Sequence, residues 1–240
     1  MEDIITIAMK EFKELFALSK FQDVILRIIL LIGVLGVALP YYRSADWLDS
    51  PITILYWLWF SGFLIVTPTA NSLIREKNSN TLSTLLTSRL SIHSIIVGKL
   101  IANILYVYLI TLLSILLGII TINLLNTTDT VQLYNPFVFW IGNLITLFFM
   151  CIVGECTILL SIKVKNGTKL TQLISSIMLS MFILVYLVSY SYSDNLLVSK
   201  EFESLYNGLD LFIVIVSLGF VIAAFYCLII HKATRANLLE

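Results

Sequence analysis

The chain has 240 residues, of which 59% are hydrophobic and only 12% charged, and its formal net charge is zero. Soluble domains are roughly 45–50% apolar and about 25% charged, so a soluble globular protein is excluded. Zero net charge also leaves no basic surface for nucleic acid, and the length suits one membrane domain over 1–240 with no second soluble one.

Residues 4–21 predict an amphipathic helix. Ile5, Ala8, Met9, Phe12, Leu15 and Phe16 form one face, and Asp3, Thr6, Lys10, Lys13 and Lys20 the other. An apolar face with lysines opposite is the pattern of a helix lying in the membrane interface; the alternative is a helix packed on a soluble partner. No cleavable signal peptide is expected, because the first apolar stretch starts only near Val24 and no small-residue cleavage site follows.

Six apolar segments follow, near 22–40, 52–70, 95–123, 137–161, 170–191 and 210–230. Each has about the 20 residues needed to cross the hydrocarbon. The fold class expected is therefore an all-α membrane protein with six transmembrane helices and an N-terminal interfacial helix. Pro40, Pro51 and Pro136 lie at span ends, and Pro68 is placed to kink or stop the second span. The third span is longer than required, with Ser91 placed to cap it. Gly33 and Gly36 in span one, Ser114 and Gly118 in span three, and Gly142 and Gly154 in span four permit close helix approach.

Basic residues set the orientation. The N-terminal segment, the loop after span two, the loop after span four and the tail hold 13 of the 15 Lys and Arg residues, and only Arg43 and Lys200 lie on the other side. The positive-inside rule then expects both termini in the cytoplasm of a multi-pass protein of the cell (plasma) membrane. Trp47, Trp57, Trp59, Trp140, Tyr41, Tyr42, Tyr134 and Tyr190 cluster toward the outer interface, where amphipathic rings prefer to sit. The outer loops, 41–51, 124–136 and 192–209, are short. The last contains Glu201 to Tyr206, with Gly208 placed to stop a short helix.

The longest polar interruption is Asn71 to Lys99, which carries Arg75, Lys77, Arg89 and Lys99. Within it, Asn80 to Thr87 predicts a short capped helix. Leu82, Leu85 and Leu86 fall on one face of that helix. A ridge of this kind outside the bilayer has nothing of its own to bury against, so another protein is expected to receive it. The second inner loop, Lys163 to Lys169, is a tight basic turn that fits a positive-inside determinant or a secondary contact to the same partner.

Nothing in the chain reads as an active site. It lacks a Gly-rich Lys-Ser/Thr nucleotide loop, a His-Glu-x-x-His and a Gly-x-Ser-x-Gly. Cys151, Cys156 and Cys227 lie in apolar runs as small hydrophobes, and no metal site is expected. His93 and His231 read as interfacial polar residues. Glu155 is the one acid well inside a span, at a depth of roughly 10 Å. A charge at the centre of a span costs about 2.5–3.5 kcal/mol on insertion scales, which makes Glu155 a candidate intramembrane polar site. It serves either a proton or cation role, or pairs with a lysine of 163–169 or with Ser175 or Ser176.

The run Glu76-Lys77-Asn78-Ser79-Asn80-Thr81-Leu82-Ser83-Thr84-Leu85-Leu86-Thr87, with Arg89, Ser91, Ile95, Gly98 and Lys99 after it, resembles the first cytoplasmic loop of ABC-2-type transporter permeases. Asn78, Asn80 and Ser83 stand where that family commonly has an acid, Gly and Glu. The resemblance implies the transmembrane permease subunit of an ATP-driven exporter, not itself an enzyme. A separate ABC ATPase, as a dimer, would carry ATP and Mg, and a second permease copy, in a homodimer or a related heterodimer, would complete the path. Residues 80–89 would be the coupling helix, with Glu76, Lys77, Thr81, Leu82, Leu85, Leu86 and Arg89 as ATPase contacts. Residues 4–21 match the elbow helix that commonly begins such chains. Pairing of copies through spans one and five would suit Gly33 and Gly36. The cargo expected is amphipathic or hydrophobic, a peptide first, since few charged residues face any path. The alternative is a nucleotide-independent carrier or a membrane enzyme, which would show inverted repeats or a clustered polar constellation.

Overall fold

The computed structural model describes residues 2–17, 29, 32–43, 46–49, 52–79, 90–125, 131–164, 166–192 and 208–232. In chain order the elements are α1 (Glu2–Ala17), a π-helical stretch (Val34–Ala38) running into α2 (Leu39–Arg43), α3 (Asp46–Asp49), α4 (Ile52–Asn78), α5 (Ile92–Leu125), α6 (Pro136–Lys163), α7 (Gly167–Tyr192) and α8 (Gly208–Lys232). Thr53–Asn78, Ile92–Leu125, Val138–Ile162 and Ile215–Lys232 are long and apolar enough to cross a membrane. The protein is thus a multi-pass helical membrane protein. α7, a helix of 26 residues, covers the expected fifth span. Of the expected first span only Ile29 and the residues from Ile32 onward are described, the latter helical. The expected coupling helix, including Thr81, Leu82, Leu85, Leu86 and Arg89, lies outside the described residues, as does the 201–206 segment.

One expectation is corrected. Pro68 does not stop the second span, because α4 runs on to Asn78. Proline removes one intrahelical bond, which neighbouring helices can offset in a membrane protein. Here the turns beyond it are held by burial of Ala70, Leu73 and Ile74. Gly208 is the first residue of α8.

Among the described residues the helices share three apolar clusters. The middle one joins Ile65, Val66, Ala70 and Ile74 of α4, Tyr106, Val107 and Ile110 of α5, Met150 and Val153 of α6, and Leu170, Ile174 and Met178 of α7. Toward the end where Lys77, Lys99 and Lys169 lie, called here the basic end, Leu73, Ile95, Ile96, Leu100, Ile158, Ile162 and Ile229 pack together. At the opposite, aromatic end, Leu35, Trp47, Leu48, Trp57, Ile115, Ile122 and Tyr134 do so. Lipid tails are as apolar as leucine, so close van der Waals fit and satisfied polar groups hold such a bundle more than water exclusion does.

Small residues provide that fit. A Cβ on Gly142 would lie 2.9 Å from the Trp57 ring, and one on Gly154 would lie 2.7 Å from Leu100. The aromatic end is also tied by hydrogen bonds. Trp47 Nε1 donates to Tyr134 Oη at 2.8 Å, Thr53 Oγ1 donates to the Trp47 carbonyl at 2.7 Å, and Asn123 bridges to the Gln132 backbone in both directions. Trp47 and Trp57 are therefore core residues, whereas Trp140, Tyr41 and Tyr42 are exposed.

Gly36 is taken up inside this chain. Its face meets Leu117 Cβ and the Ser114 carbonyl of α5, and its carbonyl accepts from Thr121 Oγ1 at 2.7 Å. A seam to a second copy through Gly36 is thereby excluded in this arrangement, while Gly33 has nothing within 4 Å. Gly36→Ala should push its Cβ to 2.9 Å from Leu117 Cβ and 3.1 Å from a backbone oxygen. The expected cost is about 1–3 kcal/mol, read as a lower midpoint in detergent thermal melts, with Gly33→Ala melting as wild type or slightly higher.

Candidate functional site: a buried ion cluster at the basic end

α1 has two apolar sides. Ile4, Ile7, Ala8, Glu11, Phe12 and Leu15, spaced by one, three or four residues, lie on one face, and all are buried or half-buried. The strongest contact of this helix is with α5. Ile5 and Met9 are 58% and 54% exposed and point away from the bundle. The single apolar face expected from the sequence is therefore divided. Phe12 packs against the core, while Ile5 and Met9 remain open for lipid. Lys10 and Lys13 are exposed, with Lys10 3.8 Å from Glu14. The side chain of Phe16 lies outside the described set.

Gly98 lets α1 approach. A Cβ there would sit 2.8 Å from Ile7 Cγ2 and 3.1 Å from the Ile4 carbonyl. The next residue, Lys99, is then enclosed, at 1% exposure. Its ammonium has three donors and meets three acceptors: Glu11 Oε1 of α1 at 2.5 Å, Glu76 Oε1 of α4 at 2.9 Å, and the Ser72 carbonyl of α4 at 3.2 Å. Two carboxylates and one ammonium leave a formal charge of −1, and Glu76 Oε2 has no partner among the described residues.

This cluster lies at the root of the segment expected to hold the coupling helix. Glu76 is in the last turn of α4. Lys99 lies two turns into α5. Both ends of the 79–91 segment are thus bonded to each other and to the surface helix. A further tie comes from Lys77, whose Nζ donates to the Ile162 carbonyl at 3.0 Å, near the C-terminus of α6. There a cation satisfies a carbonyl that the helix leaves free. Ser91 caps α5 as expected, accepting from the Ser94 amide at 3.0 Å, and Asn166 Oδ1 accepts from the first amides of α7.

Glu76 and Lys77, expected as outward polar contacts, are therefore engaged within the chain. The pairing of two central members, Glu11 and Lys99, is not predicted by the sequence pattern. Glu11 stands in register with Ile4, Ile7, Ala8 and Leu15, an acid on an apolar face. Lys99 stands between Ile96 and Leu100. Each anomaly is visible there, and together they pair.

A second polar feature lies deeper. Glu155 is 2% exposed and its Oε2 has no partner among the described residues. Of the expected serine partners, Ser176 Oγ instead bonds the Gln172 carbonyl of its own helix. Lys169 is exposed, and the side chains of Lys163 and Lys165 fall outside the described set. Asn103 of α5 is fully buried with both amide atoms unpaired, and Thr69 and Thr146 are buried with unpaired hydroxyls. No group of three His, Cys, Asp or Glu side chains that could hold a metal ion occurs among the described residues.

Long apolar helices, with α1 clamped to them by ions, define a multi-pass helical membrane protein. The family model of the ABC-2 family transporter protein matches residues 8–227, and the chain belongs to that family. It is a permease subunit of an ABC transporter, a transport component that is not itself catalytic. No curated protein matches the chain.

Breaking the cluster tests its role in the fold. Lys99→Met leaves two buried carboxylates without their cation and should cost about 3–5 kcal/mol. Adding Glu11→Gln and Glu76→Gln to the same chain should recover most of that loss. The measurement is the thermal unfolding midpoint of the three forms in one detergent.

Proposed function

We propose that this chain is the membrane half of an ATP-driven exporter, worked from the basic end by a separate ATPase dimer that binds ATP and Mg. The basic end faces the cytoplasm, in keeping with the concentration of Lys and Arg there. Residues 80–89 form the coupling helix, with Leu82, Leu85 and Leu86 seated in the ATPase and Thr81 and Arg89 beside them. Two copies, identical or related, enclose the path. The cargo is amphipathic or hydrophobic, a peptide before a drug or lipid-linked glycan.

The observation that supports this reading is the Lys99 cluster. A loop that only connected two spans would need no bonding at its base. Here Glu76, at the loop's entry, is bonded through Lys99 to α5, at the loop's exit, and to Glu11 of the interfacial helix. Force applied to residues 80–89 reaches two spans and the surface helix through one ammonium. Nucleotide-driven closure of the ATPase pair then shifts a two-state bundle, as differential binding requires.

Under this reading Glu76 and Lys77 anchor the coupling segment from within, and the apolar ridge makes the outward contact. Leu85→Asp with Leu86→Asp should abolish co-purification of the ATPase from detergent-solubilised membranes while leaving the permease folded and membrane-inserted. An ATPase still retained by that variant would overturn the docking site.

A further inference from the structure

The ion cluster leaves a second set of ionisable groups unused. Glu155 of α6 is buried, with one carboxylate oxygen unpartnered. Ile158, one turn toward the basic end, packs with Ile229 of α8 in the same cluster. α6 and α8 both descend toward the basic end, so one turn back along each brings Glu155 level with Tyr226. The two are close enough for the Glu155 charge to act on the Tyr226 hydroxyl. Tyr226 Oη in turn shares a hydrogen bond with His93 Nδ1 in the first turn of α5, their rings edge to face at 5.6 Å. His93 is exposed.

We propose that Glu155 is a proton-binding site inside the bundle, reached from the basic end through His93 and Tyr226. The surroundings select the ligand. Met150, Thr157 and Ile158 on the same helix are fully buried, and Gly154 is pressed against Leu100. A metal ion or an ammonium group would need room and several more oxygens, whereas a proton needs neither. The two imidazole nitrogens of His93 can take up a proton on one side and pass one on from the other. A proton taken up at the exposed His93 ring passes to the Tyr226 hydroxyl as that hydroxyl releases its own. The released proton is taken by a Glu155 oxygen when the two groups come within hydrogen-bond distance, forming a neutral carboxylic acid with no other bond changed.

The neighbouring groups do not compete for this role. On α6 they are Cys151 and Cys156, and on α8 Cys227. From α5 comes Lys99, committed to Glu11 and Glu76. α4 carries Arg75, Glu76 and Lys77 only in its last turn, and α7 carries Lys169 exposed in its first. This inference goes beyond the exporter reading and holds whatever the cargo or ATPase.

The test is infrared spectroscopy of the full-length chain in lipid nanodiscs, titrated from about pH 5 to 8 and exchanged into D2O. Wild type should show a carboxylic-acid carbonyl band that shifts on deuteration and is missing from Glu155→Gln. Glu155→Asp should restore a displaced band, which guards against a folding defect in the amide variant. Tyr226→Phe and His93→Phe should keep the band but slow its deuteration at least about tenfold. Wild-type and Glu155→Gln spectra that coincide at every pH would overturn the site. A band that deuterates equally fast in both path variants would overturn the route.

Discussion

One ammonium group fixes the basic end. A lysine buried this completely cannot leave its partners without placing an uncompensated charge in a poorly solvated place, which is far more costly than the net worth of the pair. Glu11, Glu76 and Ser72 use all three of its donors, so α1, α4 and α5 are tied at one point. The tie is also selective. An apolar contact between the same helices would tolerate sliding by a turn, whereas a hydrogen-bonded ion triad fits one register only.

The two ends of the bundle are closed by different physics. At the aromatic end neutral hydrogen bonds and large rings meet glycine surfaces: Trp47 on Tyr134, Trp57 over Gly142, and Tyr134 Oη close to Gly118. Such contacts are short-ranged and stiff. At the basic end the contacts are ionic, and Lys77 reaches from α4 to the last carbonyls of α6. Ionic contacts transmit force along defined bonds between helices, which suits the end that the exporter reading places against a moving partner.

Much of the architecture is legible in the residue pattern, since twenty-odd apolar residues have few alternatives to a spanning helix. The described helices begin or end close to the expected limits, and the Ser91 cap follows from its residue type; α1 is described over Glu2–Ala17, within and just before the expected 4–21. What periodicity does not show is which side of a helix meets another helix and which meets lipid, because both are apolar. The pattern therefore groups Ile5 and Met9 with Phe12, and offers Gly36 to a second copy. The ion cluster is hidden for a related reason. By sequence Lys99 counts only as one more inner positive charge, and Glu11 as one polar residue among several. Their pairing depends on α1 folding back onto α5, a long-range event that no local window contains. Glu155 is conspicuous in the sequence, but its companions are not: Tyr226 and His93 stand on other helices, far from it along the chain.

The length of α5 has a mechanical corollary. α5 contains 34 residues. At the helical rise this makes a rod of about 51 Å. The hydrocarbon of a bilayer is only roughly 30 Å thick. Lys99 grips the rod off-centre, about 10 Å from the foot and about 39 Å from the tip. A stiff rod pivoting at that grip has unequal arms, so sideways travel at the foot is magnified several-fold at the far rim. Under the exporter reading, a small stroke at the inner face would become a wider excursion at the outer one.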